Sequence, residues 1–282
     1  MRAIMSLDIT PDELMVVCMA HQVQDGELVA QGIATPLVAA AYLLARRTHA
    51  PNMYFSSAIG QSICRDPAPL SLSQVESLWL DHSLINIGFT RAVSDVLPVL
   101  RPREFFRPAQ IDPYGNINNI AFGKDYHQPR LRLPGTGGIP DVTTYLDDIM
   151  FYIPRHSRVT FVPQLDFCAG LGHNSARKHG RGPRYLVSDL GQFDFASGRM
   201  RITSFHPGVT IEKIQAHTGF PLEISPDVAE TVLPTENELN LLRHEIDPLN
   251  IRKLETLSGP ARRELLRKII ETEKDIQASK SD

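Results

Sequence analysis

Three glycine-containing turns are the places where this sequence could meet a ligand, because each lies where a strand should end. They cover residues 32–36, 58–60 and 135–140. The two adjacent glycines of the third turn would let the backbone approach a ligand closely. Pro140 suits the start of a helix, whose free N–H groups attract an anion or a carbonyl oxygen. The third turn therefore predicts an oxyanion site, although a plain loop leading into a helix has the same residue types.

Motifs for several other chemistries are missing from the sequence. There is no Walker A loop and no GxGxxG fingerprint, which disfavours nucleotide hydrolysis and dehydrogenase activity. None of the ten histidines forms an HExxH motif, so we expect no metal site. Ser56-Ser57 and Ser188-Asp189 lie at strand ends without a GxSxG elbow, which disfavours a serine hydrolase.

Composition and charge limit the possible partners. The 282-residue chain has 42% hydrophobic and 22% charged residues, typical of a globular protein. Its 29 Lys and Arg against 32 Asp and Glu provide no basic field for nucleic acid or a membrane surface. Acidic residues interrupt the N-terminal segment where a signal peptide would be apolar, so we expect a cytoplasmic protein. Three widely spaced cysteines predict reduced thiols.

The elements that must position these turns follow an α/β pattern. Thr10-Pro11 and Thr35-Pro36 predict two helix starts, and short apolar stretches follow each helix at 27–32 and 53–58. Further strands are predicted at 103–111, 148–152, 158–162, 185–188 and 200–205, and further helices at 71–80, 90–97, 210–218, 235–246 and 259–278. Alternating helices and strands build a parallel sheet. We predict an α/β fold, with an open, mostly parallel sheet and helices on both faces over residues 1–258, and a C-terminal amphipathic helix over 259–282.

Three motifs resemble the beta subunit of glutaconate CoA-transferase, a class I CoA-transferase. They are Ala109-Gln-Ile-Asp-Pro-Tyr-Gly-Asn-Ile-Asn118, Gly123-Lys-Asp-Tyr-His127 and Gly135-Thr-Gly-Gly138. The similarity continues through Thr144-Tyr145, residues 185–195, His206-Pro-Gly-Val-Thr210 and Glu245-Ile-Asp-Pro248, nearly to the final helix. The resemblance implies the NagB/RpiA/CoA-transferase-like fold and a homologous alpha subunit in an α2β2 assembly. It also implies an acyl-CoA substrate that brings its own coenzyme A, with no permanently bound cofactor.

One position departs from the family pattern. CoA-transferring members carry a glutamate in a Glu-x-Gly motif, just after the strand that follows an Ala-Pro pair. This chain has the Ala-Pro pair at Ala50-Pro51. At Ala58-Ile-Gly60 it has alanine at the position where the resemblance implies that glutamate. A methyl group cannot attack a thioester or carry CoA. The nearest substitute nucleophiles, Ser57 and Cys64, are poorly placed in the sequence.

The resemblance also implies the remaining site residues. Gly135, Thr136, Gly137 and Gly138 would supply backbone donors to the thioester or oxyanion. Contacts with substrate and CoA are expected from Gly32, Thr35, Gly60, Asn116, Asn118, Tyr126 and His127.

Relatives without the glutamate include hydrolases that open carbocyclic acyl-CoA rings in steroid breakdown, and decarboxylases. A hydrolase that opens rings or cleaves C–C bonds is therefore the first expectation. The alternatives are an acyl-CoA decarboxylase, a true CoA-transferase of the glutaconate or 3-oxoacid type with its nucleophile elsewhere, and a structural subunit without catalytic residues.

Overall fold

The computed structural model describes residues 8–32, 35–57, 61–66, 70–74 and 79–281. The strands are β1 (Leu28–Gln31), β2 (Tyr54–Ser57), β3 (Ser62–Cys64), β4 (Ser83–Asn86), β5 (Arg103–Phe106), β6 (Gln110–Ile111), β7 (Ile117–Asn118), β8 (Ala121–Phe122), β9 (Leu131–Arg132), β10 (Asp148–Ile153), β11 (Gly182–Ser188), β12 (Gly191–Asp194), β13 (Arg201–Phe205) and β14 (Glu223–Glu230).

Two of the helical segments contain π-helical turns. The segments are α1 (Pro11–Ala20), α2 (Pro36–Arg47), α3 (Phe89–Arg91 with the π-helical Ala92–Val96 and Leu97–Leu100), α4 (Ile139–Tyr145), α5 (Ile211–His217), α6 (Glu236–Asn240 with the π-helical Leu241–Ile246) and α7 (Gly259–Ser281). No helix in the described ranges is long and apolar enough to cross a membrane.

Ten strands form one sheet in the order β14-β13-β12-β11-β10-β5-β1-β2-β3-β4. The central run from β11 to β2 is parallel throughout. Antiparallel strands extend it on both sides, and the outermost strand β14 is again parallel to its neighbour β13. The predicted open, mostly parallel sheet is confirmed.

Helices cover both faces of the sheet, as predicted. On one face, α1, α2 and α6 pack over a core that includes Val29, Phe55 and Phe105. On the other face, α4 and α5 pack over Phe106 and Phe151 with their neighbours. Neighbouring residues Phe105 and Phe106 belong to opposite cores because successive side chains of a strand alternate between the two faces.

A buried ion network joins the two ends of the chain. The Arg252 guanidinium contacts Asp12 and Glu13 from α1, and Asp247 from the Glu245-Ile-Asp-Pro248 motif. Burial alone would raise the pKa of Glu13, but hydrogen bonds from Arg243 and from the Thr10 N–H lower it to about 2. Glu13 therefore stays ionised, and the network fixes α1 against the segment that precedes α7.

Two predicted elements are wrong in part. Residues 158–160 form a turn instead of a strand, because the N–H groups of Thr160 and Phe161 both donate to the Ser157 carbonyl. Of the helix predicted over 71–80, residues 72–74 form a bend, whereas residues 79–80 are helical. Glu273 of α7 causes this bend, since its carboxylate accepts the N–H groups of Leu72 and Ser73.

The predicted C-terminal helix is present and docks on this chain. Ile269 of α7 is buried against Ile251 and Leu254, and Glu273 binds the 71–73 segment. The division into a domain over 1–258 and a separate helix stays a prediction.

Candidate active site

Side chains from three neighbouring strands form a row at one edge of the sheet. Ala30 of β1 pairs in register with Ser56 of β2 and with Glu104 of β5. Residues opposite one another in parallel strands project from the same face, so these three side chains lie side by side. The space above this row is lined by the last residues of the same strands, Gln31, Ser57 and Phe106. Open α/β sheets bind ligands at the carboxyl ends of parallel strands.

A cavity of about 610 Å³ lies over this row and is lined by Ala30, Ser56 and Glu104. Its volume falls within the usual range for small-molecule sites. The opposite wall is largely apolar and comes from α3, α4 and the core: Phe89, Ala92, Val93, Val96, Leu97, Ile139, Val142 and Phe106. The turn at 134–138 completes the lining. The apolar wall leaves Glu104 in a poorly solvated environment.

Glu104 is the carboxyl group of this cavity. Burial raises its pKa to about 7, and no cation among the described residues offsets that effect. The other titratable groups among the described lining residues are Arg107 and Tyr152, and both donate to Glu255 instead. No hydrogen bond joins the Glu104 carboxyl to another described residue. Near neutral pH the carboxyl can therefore both donate and accept a proton.

Gly32 leaves open space beside Glu104. A Cβ atom built on Gly32 would lie 3.8 Å from Glu104 Oε1. A side chain larger than alanine at this position would therefore crowd the carboxyl and cover it. The glycine of the first predicted turn thus keeps one flank of the carboxyl accessible.

The turn at 135–138 lines the cavity. Gly135 and Gly137 have φ values of +111° and +52°, conformations that favour glycine. Within the described part of the chain, the four N–H groups from Gly135 to Gly138 donate to no backbone or side-chain acceptor. α4 begins directly after the turn, as Pro140 predicted. The geometry fits hydrogen bonding to an anionic oxygen, and the oxyanion role stays a prediction.

A second carboxylate, the buried Glu255, lines a neighbouring cavity. It accepts hydrogen bonds from the Leu37 N–H, the Tyr152 hydroxyl and Arg107 Nη1, each at 2.9 Å. Burial raises the pKa of Glu255, and Arg107 opposes that shift. Arg107 also lines two further cavities of about 570 and 740 Å³, so three adjacent spaces meet at this side chain.

The structure brings several predicted site residues together. Gly32, Thr35, Ser57 and the turn at 135–138 all line the cavity that contains Glu104. Ser57 is only 3% exposed and lies opposite Ser62 on β3. Ala58 and Gly60 lie outside the described residues.

Four other predicted contacts do not line this cavity. Asn116 donates to Asp112 and accepts the Gly172 N–H, while the fully buried Asn118 donates to Gln110 and to the Ala121 carbonyl. Their amides are therefore already engaged in loop structure.

Tyr126 and His127 lie on an exposed loop, their rings 5.6 Å apart. The Arg132 guanidinium lies 4.5 Å from the Tyr126 ring. Their predicted roles in binding CoA stay untested.

Sequence reasoning missed Glu104. A charged residue followed by two phenylalanines inside a predicted central strand was the available signal, because an ionisable group on such a strand must be buried. Cys64, considered above as a substitute nucleophile, is fully buried, and burial raises its pKa to about 12. Its thiol stays protonated and is a weak nucleophile.

A Ser-His-Asp combination occurs elsewhere, on the β11 side of the sheet. His156 Nδ1 lies 3.0 Å from Ser188 Oγ, His156 Nε2 lies 2.9 Å from Thr218 Oγ1, and Asp189 accepts the His156 N–H. The His156 ring stacks on Phe161, and Ser188 is fully buried. Burial lowers the pKa of His156 to about 3. The imidazole is therefore neutral and enclosed, so this cluster is structural.

The described residues contain no group of three or more His, Cys, Asp or Glu side chains arranged to hold a metal ion.

Comparison with known proteins gives consistent matches over most of the chain. The family model for Coenzyme A transferase matches residues 13–217. The B-type chain of glutaconate CoA-transferase from Acidaminococcus fermentans is 30% identical over 257 residues, covering 85% of this chain and 93% of that protein. The cholesterol ring-cleaving hydrolase IpdB subunit of Rhodococcus jostii is 30% identical over 238 residues, covering 82% and 89%.

The solved structure of the decarboxylase AibA/AibB superposes with a TM-score of 0.76 at 30% identity, covering 87% of this chain and 98% of that one. Together these matches confirm the resemblance and the fold that it implied.

Proposed function

Because the chain belongs to the Coenzyme A transferase family, we propose that it is the B-type subunit of a two-subunit hydrolase that cleaves a C–C bond of acyl-CoA substrates. The observation that carries this proposal is Ala58, which by the resemblance occupies the position of the glutamate that CoA-transferring members use. An enzyme without that carboxylate cannot form a glutamyl-CoA intermediate there. Water is then the simplest acceptor.

The relatives indicate that proteins of this family catalyse different reactions. Their names include a CoA-transferase, a ring-cleaving hydrolase and a decarboxylase at nearly equal similarity to this chain. The last two reactions share one requirement, which is stabilisation of the negative charge that develops on an acyl-CoA when a C–C bond breaks at carbon 2, or at a carbon conjugated with the thioester. The free N–H groups of residues 135–138 are suited to that task.

The proposed reaction acts on a 3-oxoacyl-CoA. Water adds to the ketone carbon, the bond between carbons 2 and 3 breaks, and its electron pair becomes the enolate of the acyl-CoA. The enolate oxygen accepts hydrogen bonds from the 135–138 turn, and a proton returns to carbon 2. When the ketone lies in a ring, the product is one opened acyl-CoA that carries a new carboxylate.

Exposed apolar residues support the assembly with a partner subunit. Leu84 and Ile85 of the edge strand β4 are 64% and 53% exposed, and exposed Phe89 lines the cavity as well. At the other edge of the sheet, Val232 and Leu233 are also exposed. Contiguous exposed apolar surface marks interaction sites. A homologous subunit covering the β4 edge would close the cavity, and a second contact at the β14 edge would allow an α2β2 assembly.

The proposal is tested by purifying the chain together with its partner subunit and supplying 2-oxocyclohexanecarboxyl-CoA, a cyclic 3-oxoacyl-CoA. We expect ring opening to pimeloyl-CoA without any acceptor acid, measured by mass spectrometry. Turnover that requires added acetate, with a CoA adduct on either chain, would establish a CoA-transferase and contradict the proposal. A panel of acyl-CoAs with other ring and chain sizes would then define the substrate class.

Decarboxylation is the second candidate, favoured by the structural match to the AibA/AibB decarboxylase. An apolar cavity disfavours a substrate carboxylate and favours its loss as carbon dioxide. Adding a carboxylated acyl-CoA, glutaconyl-CoA, to the same assay separates the two reactions, because only decarboxylation releases carbon dioxide from it.

A further inference from the structure

We propose that Glu104 is the catalytic acid and base of this site, and that it takes a proton from the attacking water and returns it to carbon 2 of the acyl-CoA. This inference rests on the proposed function for the reaction itself. It goes beyond that function by assigning a proton-transfer residue to the B-type subunit.

The position of Glu104 is the first argument. Its side chain lies in the row with Ala30 and Ser56, on the face of the sheet that lines the cavity. The 135–138 turn lines the same cavity, so a substrate enolate held by that turn would lie in the same space as the Glu104 carboxyl. Gly32 adds no side chain that would cover the carboxyl.

Among the described residues, the Glu104 carboxyl has no hydrogen-bond donor or cation that would stabilise its charge. The fully buried carboxylates of this chain have donors: Glu255 accepts three hydrogen bonds, Asp247 pairs with Arg252, and Glu273 holds the 71–73 segment. Glu104 is half-buried, and in the described part of the chain it has no such donor. A half-buried carboxyl beside an apolar wall, with no structural partner, destabilises the fold when it ionises, which points to a role outside folding.

The groups around Glu104 leave its proton free to move. Its neighbours on α3 and α4 are apolar. Arg107 from the end of β5 and Tyr152 from β10 are directed at Glu255. Tyr42 of α2 donates its hydroxyl to the backbone carbonyls of Ala30 and Arg103. Burial supports the assignment, since it raises the pKa of Glu104 into the neutral range.

Both protons of the attacking water are accounted for: one passes through Glu104 to carbon 2, and the other stays on the new carboxylic acid, which releases it to solvent. The carboxylate accepts a proton as the water oxygen bonds to the ketone carbon, and becomes the neutral acid. After the C–C bond breaks, the same acid protonates the enolate at carbon 2 and returns to the carboxylate. Water and substrate are the only reactants.

The experiment compares Glu104→Gln, Glu104→Asp and the control Asp189→Asn in the assembled two-subunit complex. Asp189 is a suitable control because its carboxyl is also half-buried and burial also raises its pKa, yet it accepts the His156 N–H far from this cavity. Two readouts are measured: the pH profile of kcat for 2-oxocyclohexanecarboxyl-CoA, and, in a separate incubation, exchange of solvent deuterium into carbon 2 of pimeloyl-CoA that is supplied as the substrate and needs no ring opening.

We expect Glu104→Gln to lower kcat at least about 100-fold, the usual contribution of a general acid or base. The rise of kcat with pH through about 7 should disappear, and deuterium uptake should fall in parallel. Glu104→Asp should retain part of the activity with a displaced pH profile, and Asp189→Asn should match the wild type.

The assignment would be overturned if the Glu104→Gln complex kept more than a third of the wild-type kcat with an unchanged pH profile. It would also be overturned if Asp189→Asn lost as much kcat as Glu104→Gln. A CoA adduct on Glu104 would make it a nucleophile and also overturn it. If the wild-type complex opens no ring, the proposed function fails, but deuterium uptake still decides the role of Glu104.

Discussion

Two regions of this molecule combine groups that chemistry could use, and they differ in how completely those groups are paired. The His156 cluster contains a serine, a histidine and an aspartate, yet both ring nitrogens are bonded and Ser188 is fully buried. The Glu104 cavity also has polar side chains in its lining, but the Glu104 carboxyl has no donor among the described residues, and the N–H groups of the 135–138 turn have no acceptor among them.

The difference teaches that unpaired polar groups facing space are a better guide to function than residue types. A satisfied buried network stabilises and specifies a core. A buried group left unpaired costs stability, so its presence calls for another explanation. The predictions below use this contrast, from the largest expected free energy to the smallest.

Acid should destabilise the fold through His156. Its pKa is about 3 in the fold, against about 6.5 for an ordinary histidine, so the unfolded chain binds the extra proton first. This contribution to stability is complete above about pH 6.5 and is lost as the pH falls toward 3, by up to about 5 kcal/mol. Denaturant unfolding of His156→Gln between pH 7 and 4 should show a smaller loss than the wild type, and equal losses would contradict this.

Glu104 should give a pH dependence of opposite sign. Its pKa rises from an ordinary 4.5 to about 7 in the fold, so the native state holds the proton more tightly. Stability should fall as the pH rises from about 4.5 through 7, by up to about 3 kcal/mol. Glu104→Gln should therefore unfold at higher denaturant than the wild type at pH 8 and at a similar concentration near pH 4. A Gln variant that is less stable at pH 8 would assign Glu104 a structural role.

Gly137→Val should lower kcat of the assembled complex about 10- to 100-fold, because a β-branched residue strains the positive φ and displaces the backbone donors. Gly198→Val is the matched control, since Gly198 also has a positive φ with open space around its Cβ position but lies in a surface turn outside the cavity. Equal rates for both variants and the wild type would support a passive subunit whose partner carries all the chemistry.

Ser188→Ala should cost about 1 to 3 kcal/mol of unfolding free energy, because it leaves His156 Nδ1 buried without a partner. In complex that remains folded, kcat should be unchanged. A selective loss of kcat without loss of stability would reassign the His156 cluster to the reaction.

Much of the fold could be predicted because its signals are local. Thr10-Pro11 and Thr35-Pro36 mark the starts of α1 and α2, and the apolar stretches after them become β1 and β2. The bend at 72–74 could not be predicted, because Glu273 dictates it from about 200 residues further along the chain. Strands β12 and β14 were missed, since β14 is largely exposed and lacks apolar alternation.

The candidate site was predictable where the backbone carries the signal. The positive φ angles at positions 135 and 137 favour glycine, so the sequence points to that turn directly. Glu104 emerged only from the packing, since its significance depends on the absence of a partner across strands and helices that are distant in the chain. The role of Ser188-Asp189 likewise depends on a partner distant in the chain. Both residues bond to His156, so they belong to the structural His156 cluster.

The most direct test of the account is ring opening of 2-oxocyclohexanecarboxyl-CoA in ¹⁸O-labelled water, measured side by side in the wild-type, Glu104→Gln and Ser188→Ala complexes. We predict one ¹⁸O atom in the new carboxylate of the product for wild type and Ser188→Ala, and at least about 100-fold slower incorporation for Glu104→Gln. Slow incorporation in Ser188→Ala with a normal rate in Glu104→Gln would contradict it and place the chemistry in the His156 cluster.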